Sequence, residues 1–385
     1  MRRAIAIPAM AIGLVTWPFA SHAQPITDVV DVTAFRELVV DPGTKAEDWQ
    51  PAFQAAIAKA RDTLQPVYVP AGEYRIRRAV EIVPVEVEGK PFARNNIRLF
   101  GAGTYKSVIL QQVETENCIN WTGLEYEKSA VHGHLSNLYL RGGKIALNIK
   151  WHNYFTLDSC YIEGAMQYGV YAEGWSSRFL DSTIRWCREA GFRGAGHFNN
   201  CVIRDCYFSR DGIGISLSGV HGSRIESCGL ENCAKAAILL RGIQGLTISN
   251  CYFEANGYKN VEQLPVEGSA NTVHLDWACN AITIHDCIFR MNLDAEGALV
   301  SIADCRHGHV YDNYFYSSNP AKNGIKLRAK SEGSGDAEPV IADLVVERNW
   351  QHNLEYPLTE SEPGVYEKAV KAGCSFDWPL SEAGE

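Results

Sequence analysis

The chain has 385 residues, with 36 Lys and Arg against 45 Asp and Glu, for a net charge of −9. That surplus of acid works against a phosphate polymer or an anionic membrane surface, so neither nucleic acid nor membrane is an expected partner. A polyanionic substrate would need a local basic patch set against the overall field.

Arg2 and Arg3 precede an apolar run over residues 4–20 and then Ser21-His22-Ala23. A basic start, an apolar stretch and a small-x-small site predict a secretory signal over 1–23, and so a secreted or periplasmic protein. Pro8 and Pro18 interrupt the run and no stop-transfer pattern follows, which argues against an anchor. Over residues 46–64, Trp49, Phe53, Ile57, Ala60 and Leu64 recur at helical spacing, Asp48 stands where it can cap, and Pro51 falls in the first turn. Two glycine-punctuated stretches of alternating residues, 67–76 and 97–110, read as strands.

From the middle of the chain onward one phrase recurs: apolar, two polar, cysteine, any residue, apolar. It places Cys206, Cys228, Cys251 and Cys287 in equivalent positions, with Leu138, Cys160, Ser182 and Asn313 in weaker copies. A period near 22 residues marks a solenoid whose units cannot bury their apolar faces alone. Each unit reads as the cysteine strand, a short turn and a second strand such as Ile215-Ser-Leu217 or Ile238-Leu-Leu240. Stacked coils are spaced by about 4.8 Å, so residues one period apart become neighbours. The in-register cysteines serve as small core hydrophobes; of the others, Cys187, Cys201, Cys233, Cys279, Cys305 and Cys374 leave a disulfide open but unassigned. No CxxC pair with companion histidines points to zinc. Insertions over 256–271 and 328–340 swell two coils, and long loops on a rigid solenoid commonly wall a groove. The expected organisation is a signal over 1–23, a solenoid over 24–356 whose helix at 46–64 caps the first coil, and a tail over 357–385.

The helix, the phrases VYVPAGEYRI and LFGAGTYKSVIL, and the coils together resemble the pectate-lyase superfamily (the rhamnogalacturonase, epimerase and tailspike-like proteins). The resemblance implies an all-β fold, a right-handed parallel β-helix, in a family that ranges over lyases, glycoside hydrolases, epimerases and phage tailspikes. It makes an extracellular polysaccharide the expected partner and brings in homotrimer formation. Calcium would enter only on the lyase reading. Residues 206–219, CYFSRDGIGISLSG, are similar to the segment of family-28 polygalacturonases that carries an Asp-Asp pair; here Gly212 replaces the second aspartate. Val220-His221-Gly222 and Gly324-Ile325-Lys326 loosely resemble later motifs of that family, while Arg188-Glu189-Ala190 stands where an Asn-Thr-Asp motif is expected.

Alternation of two assigns outward ladders. One runs Glu163, Arg185, Ser209, Glu231, Glu254, Arg290; another Tyr171, Arg193, Ser216, Leu239, His274, Ser301, Lys326; a third includes Glu173, Arg241, Asp276 and Arg328. Glu231 and Glu254 on adjacent rungs have the separation at which one carboxyl can be acid and the other nucleophile in retaining glycoside cleavage. Asp211, Glu231, Glu254, His274 and Asp276 are therefore the candidate catalytic residues, for hydrolysis. Tyr171, Glu173, Arg193, Arg241, Lys326 and Arg328 are candidate substrate contacts, and their basic members form a stripe that would serve a polysaccharide lyase or uronate epimerase instead. A carbohydrate-binding solenoid without catalysis is the third expectation.

Overall fold

Successive coils of the chain stack their strands into three long sheets. The computed structural model describes residues 28–84, 93–94, 96–125, 129–257, 271–291, 297–318, 323–329, 340–354 and 356–378. The expected signal, residues 258–270 and 330–339 of the two insertions, and the end of the tail lie outside the described residues.

One representative coil runs Val202–Arg204, Tyr207–Ser209, Ile213–Ser218, and the next begins at His221–Glu226. These strands belong in turn to a 15-stranded first sheet, an 11-stranded second sheet and an 11-stranded third sheet. Every pair within them is parallel, in the register expected from the period. The expected two strands per coil are thus three, because the cysteine phrase is a corner and not one strand. Before each corner residue stands a residue with left-handed backbone: Asp205 at φ 54°, Ser227 at 53°, Asn250 at 53°, Asp286 at 52°. Short polar residues tolerate this conformation best, and it swings the chain from the first sheet into the second.

Inward residues stack into apolar columns. Ile203, Ile225, Ile248 and Ile284 come from the first sheet. Phe208, Leu230, Phe253, Phe289 and Phe315 come from the second. The rings of Phe253, Phe289 and Phe315 lie nearly parallel, 4.6 and 4.8 Å apart. All twelve cysteines are free and buried, so the disulfide left open for the off-register ones is not formed.

At the N-terminal end the helix Gln50–Thr63 buries Phe53, Ala56, Ile57 and Ala60 against the first coil. Trp49 and Phe53 both meet Tyr74 edge-on. Asp48 lies one residue further out than a capping position, yet its Oδ1 accepts from Gln50 N at 3.0 Å and Arg77 N at 3.2 Å. The solenoid also continues past its expected end at 356. Tyr356–Glu360 joins the third sheet, and Ser375–Phe376 joins the first beyond a short helix, Val365–Lys371.

Polar side chains inside the corners close hydrogen bonds that the backbone leaves open. Asn313 accepts from Cys287 N at 3.0 Å and donates to Ile284 O at 3.0 Å. Asn256 does the same for Cys233 N and Leu230 O, at 3.0 and 2.7 Å. Two coils earlier the equivalent residue is Asp211. Its Oδ1 accepts from Cys187 N at 2.7 Å, while Oδ2 has no partner. Asp211 is completely buried, and desolvation pushes its pKa well above the usual carboxylate range. It is an asparagine-like corner brace, out of reach of any substrate, which corrects its assignment as a catalytic group.

Because the folded state holds the Asp211 proton more tightly than the unfolded chain does, Asp211 should lower stability as pH rises from about 4 through its raised folded pKa. Asp211→Asn, whose amide can donate to the register-equivalent carbonyl of Ile184, should gain about 1–3 kcal/mol at pH 7. Urea denaturation at pH 7 and pH 4.5 should show that gain shrinking at the lower pH.

Candidate functional site

The outward residues of the second and third sheets hold the remaining candidates, and the two sheets separate them. On the second sheet, Glu163, Arg185, Ser209, Glu231, Glu254 and Arg290 are consecutive register partners, as the period requires. A tyrosine in the neighbouring outward column meets each glutamate of the central pair. Tyr207 donates to Glu231 Oε2 at 2.6 Å, and Tyr252 donates to Glu254 Oε2 at 2.7 Å. Arg290 adds an ion pair to Glu254 Oε1 at 3.1 Å. Burial and then the glutamates push both phenols upward in pKa, so they remain donors. The pair is a neighbouring one, but its carboxylates are occupied by the protein's own hydroxyls and guanidinium.

On the third sheet, Tyr171, Arg193, Ser216, Leu239, His274, Ser301 and Lys326 form the other column. Its polar members fall into two groups on either side of Leu239. In the upstream group Tyr171 hydroxyl donates to Glu173, and Arg193 Nη1 donates to Ser216 Oγ at 2.6 Å. Tyr168 packs beside Tyr171 with centroids 6.0 Å apart. Both phenols have raised pKa values, from burial first and then from Glu173 or Glu189.

The downstream group is more buried. Arg241 Nε meets Asp276 Oδ2 at 2.8 Å, and Arg328 Nη1 meets His274 Nε2 at 3.1 Å. Arginine has only donors, so a hydrogen bond between the two makes Nε2 of His274 the acceptor. His274 is 5% exposed, Asp276 and Ser301 0%. Outward residues on a solenoid are ordinarily wet. Here the strands Asn271–Leu275 and Ala298–Ile302 are buried on both faces, and Leu239 on the preceding strand is 8% exposed. A sheared-off, shielded sheet face is where a charged cluster gains strength, because field lines are less screened there. Ser301, which sits between His274 and Lys326 in register, has a buried hydroxyl with no partner. It was placed on the ladder by sequence but not singled out; only its burial distinguishes it from a solvated serine.

The proposed catalytic five therefore do not converge. Asp211 lies in the core, Glu231 and Glu254 on the second-sheet face, and His274 with Asp276 on the third. The motifs similar to polygalacturonases are likewise dispersed, His221 opening a first-sheet strand and Lys326 lying on the third sheet. Among the described residues no three His, Cys, Asp or Glu side chains gather as a metal site. No helix among them is long and apolar enough to cross a membrane.

Residues 145–292 match a family model described as a right-handed β-helix region, and residues 41–123 match one described as rhamnogalacturonase A/epimerase, pectate lyase-like. No curated protein matches the sequence. Among solved structures, the A-module of a mannuronan C-5 epimerase of Azotobacter vinelandii is similar at 15% identity and a TM-score of 0.59, over 91% of this chain and 100% of that one. A surface adhesin of Streptococcus pneumoniae is similar at 13% identity and 0.62, over 87% and 93%. DFA-IIIase of Arthrobacter chlorophenolicus without its lid is similar at 12% identity and 0.54, over 86% and 99%. At these identities the likeness is one of fold. The chain is a right-handed parallel β-helix protein of the pectate-lyase-like kind.

Proposed function

We propose that this protein is an exported enzyme acting on an acidic polysaccharide, and that its chemistry is proton abstraction beside a uronate carboxylate on the third-sheet face. The observation that carries this reading is the contact between Arg328 and Nε2 of His274, in a shielded cluster that also holds Arg241, Asp276 and Lys326. An imidazole whose Nε2 accepts a hydrogen bond can act as a general base near neutral pH once that donor moves away. A substrate carboxylate would draw Arg328 to itself and release Nε2 to take the C5 proton. Arg328 and Lys326 would then hold the negative charge that spreads onto the carboxylate as the C5–H bond breaks.

Two outcomes follow from that carbanion. Expulsion of the C4 oxygen leaves a C4–C5 double bond and a broken chain, which is a lyase reaction. Return of a proton to the other face of C5 leaves the chain intact and inverts that centre, which is epimerisation. The mannuronan C-5 epimerase among the similar structures lends support to a uronate substrate. Upstream, Tyr171, Glu173 and Arg193 would bind further sugar residues: Arg193 lies three rungs from His274, about 14 Å.

A second reading, hydrolysis by Glu231 and Glu254, is favoured by one observation, their direct register pairing. It requires Tyr207, Tyr252 and Arg290 to yield both carboxylates to a substrate.

A panel of polyuronates and neutral glycans, followed by ultraviolet absorbance, reducing ends and C5 configuration, separates these readings. We expect unsaturated ends or inverted C5 centres from a polyuronate, lost by about 10²–10⁴-fold in His274→Gln and retained in Glu254→Gln. Reducing ends without unsaturation, abolished by Glu254→Gln, would replace the proton-abstraction reading with hydrolysis. Arg193→Ala should raise KM several-fold while leaving kcat near the parent value, since Arg193 binds at a distance from the reacting carbon.

A further inference from the structure

A groove of about 800 Å³ lies at the N-terminal end, and none of the candidate catalytic residues lines it. It crosses the corner between the second and third sheets in the first coils. Lys45, Arg75 and Arg77 line it, with Glu114 as the single carboxylate among its lining residues. Arg75 is paired with Glu73 at 2.9 Å. The side chains of Lys45 and Arg77 have no acidic partner among the described residues. A groove between Ser176 and Glu226 also has three cations, Arg178, Arg204 and Arg224, but there two of the three are ion-paired, whereas here only Arg75 is.

Gly142, Gly143 and Gly164 line the groove where this corner passes from coil to coil, beside Leu110, Gln111, Val113 and Met166. Gly164 has φ 75°, but the same position in later coils is held by Trp186 at 59°, Arg210 at 59°, Asn232 at 56° and Ala255 at 52°. The backbone therefore accepts a side chain at position 164, whereas a Cβ at Gly142 or Gly143 would come within 2.8 Å of a backbone oxygen. Nor does crowding require glycine at 164, because a Cβ there would meet only Gly142 N, at 4.0 Å. What Gly164 provides is open space, and the next coil ends it with Trp186, whose ring has the Arg210 guanidinium 4.7 Å from its centroid. Open space at Gly164 beside two unpaired cations fits a ring that carries a negative charge.

We infer that this groove is a second, non-catalytic saccharide site that takes an anionic sugar residue through Lys45, Arg75 and Arg77. On the third sheet, four rungs separate the strand Tyr168–Ala172 beside the groove from the strand carrying His274, about 19 Å. A polymer held here would be retained on the solenoid while the distant face works on another part of it, which raises its effective concentration there. The inference concerns a different surface from the His274 cluster and does not depend on the chemistry assigned to it.

The test is calorimetric titration at low salt of the parent, Arg77→Glu, Gly164→Trp and His274→Gln, with trigalacturonate, a sulfated glycosaminoglycan trisaccharide and maltotriose. Each variant is first matched to the parent in thermal melting. The carboxylated and sulfated probes distinguish the two sources of negative charge. We expect one or both to bind, the affinity to fall at least tenfold in Arg77→Glu and Gly164→Trp, and binding to this site to survive in His274→Gln. Binding of maltotriose as tight as that of the charged probes, absence of binding by both charged probes, or binding lost in His274→Gln but unchanged in Arg77→Glu would each overturn the inference. Loss of catalysis in His274→Gln with saccharide binding intact would leave the groove standing whatever reaction the other face performs.

Discussion

Parallel register between successive coils is the constraint on which the molecule depends. A strand in a solenoid has no freedom to slide, because a shift of one residue would turn its buried column outward and its outward column into the core. The left-handed corner residues hold the register from coil to coil: each spends one peptide at φ near 50° to turn the chain, and each returns the next strand to the same height. The polar residues inside those corners complete the lock. Asn256, Asn313 and Asp211 each tie the backbone of one coil to a side chain of the next, through the amides of Cys233, Cys287 and Cys187. A chain fixed in this way turns a one-dimensional period into two-dimensional columns on each outer face.

Those columns determine the electrostatics. On the second sheet, the adjacent Glu231 and Glu254 take tyrosine hydroxyls and Glu254 an ion pair with Arg290, so the pair is satisfied without a ligand. On the third sheet the face around His274 is shielded, and its cations are set close to the imidazole. At the N-terminal corner, glycines remove the side chains that elsewhere fill the same position, and cations are left facing a groove. Three surfaces with the same backbone therefore have three chemical characters, set by which residues the register lines up and by how much water reaches them.

The period made the outward ladders legible in the sequence in full: every neighbour expected between Glu163 and Arg290, and between Tyr171 and Lys326, is a register partner. Periodicity does not report backbone handedness, so the Asp205-Cys206 corner looked like the middle of a strand. It also cannot tell an aspartate in a turn from one folded into the core. Asp211-Gly212 has the composition of an exposed turn, and only the close approach of the Cys187 amide shows that the carboxyl points inward. Likewise, alternation assigned His274 and Ser301 to the outside, which is correct by register, but their burial depends on what lies over the sheet, and no local pattern encodes that. The groove at Lys45, Arg75 and Arg77 escaped because its cations come from separate segments, and its clearest signal, Gly142-Gly143 and Gly164 at a corner that later holds Trp186 and Arg210, shows only once the coils are aligned.

The central claim is that the third-sheet face removes a proton from carbon, and hydrogen isotope substitution addresses it most directly. Turnover of a polyuronate deuterated at C5 should be several-fold slower than that of the protiated polymer, with the C5 hydrogen lost to or exchanged with solvent in the product. An equal rate for the two polymers, with C5 deuterium fully retained in the product, would contradict the account.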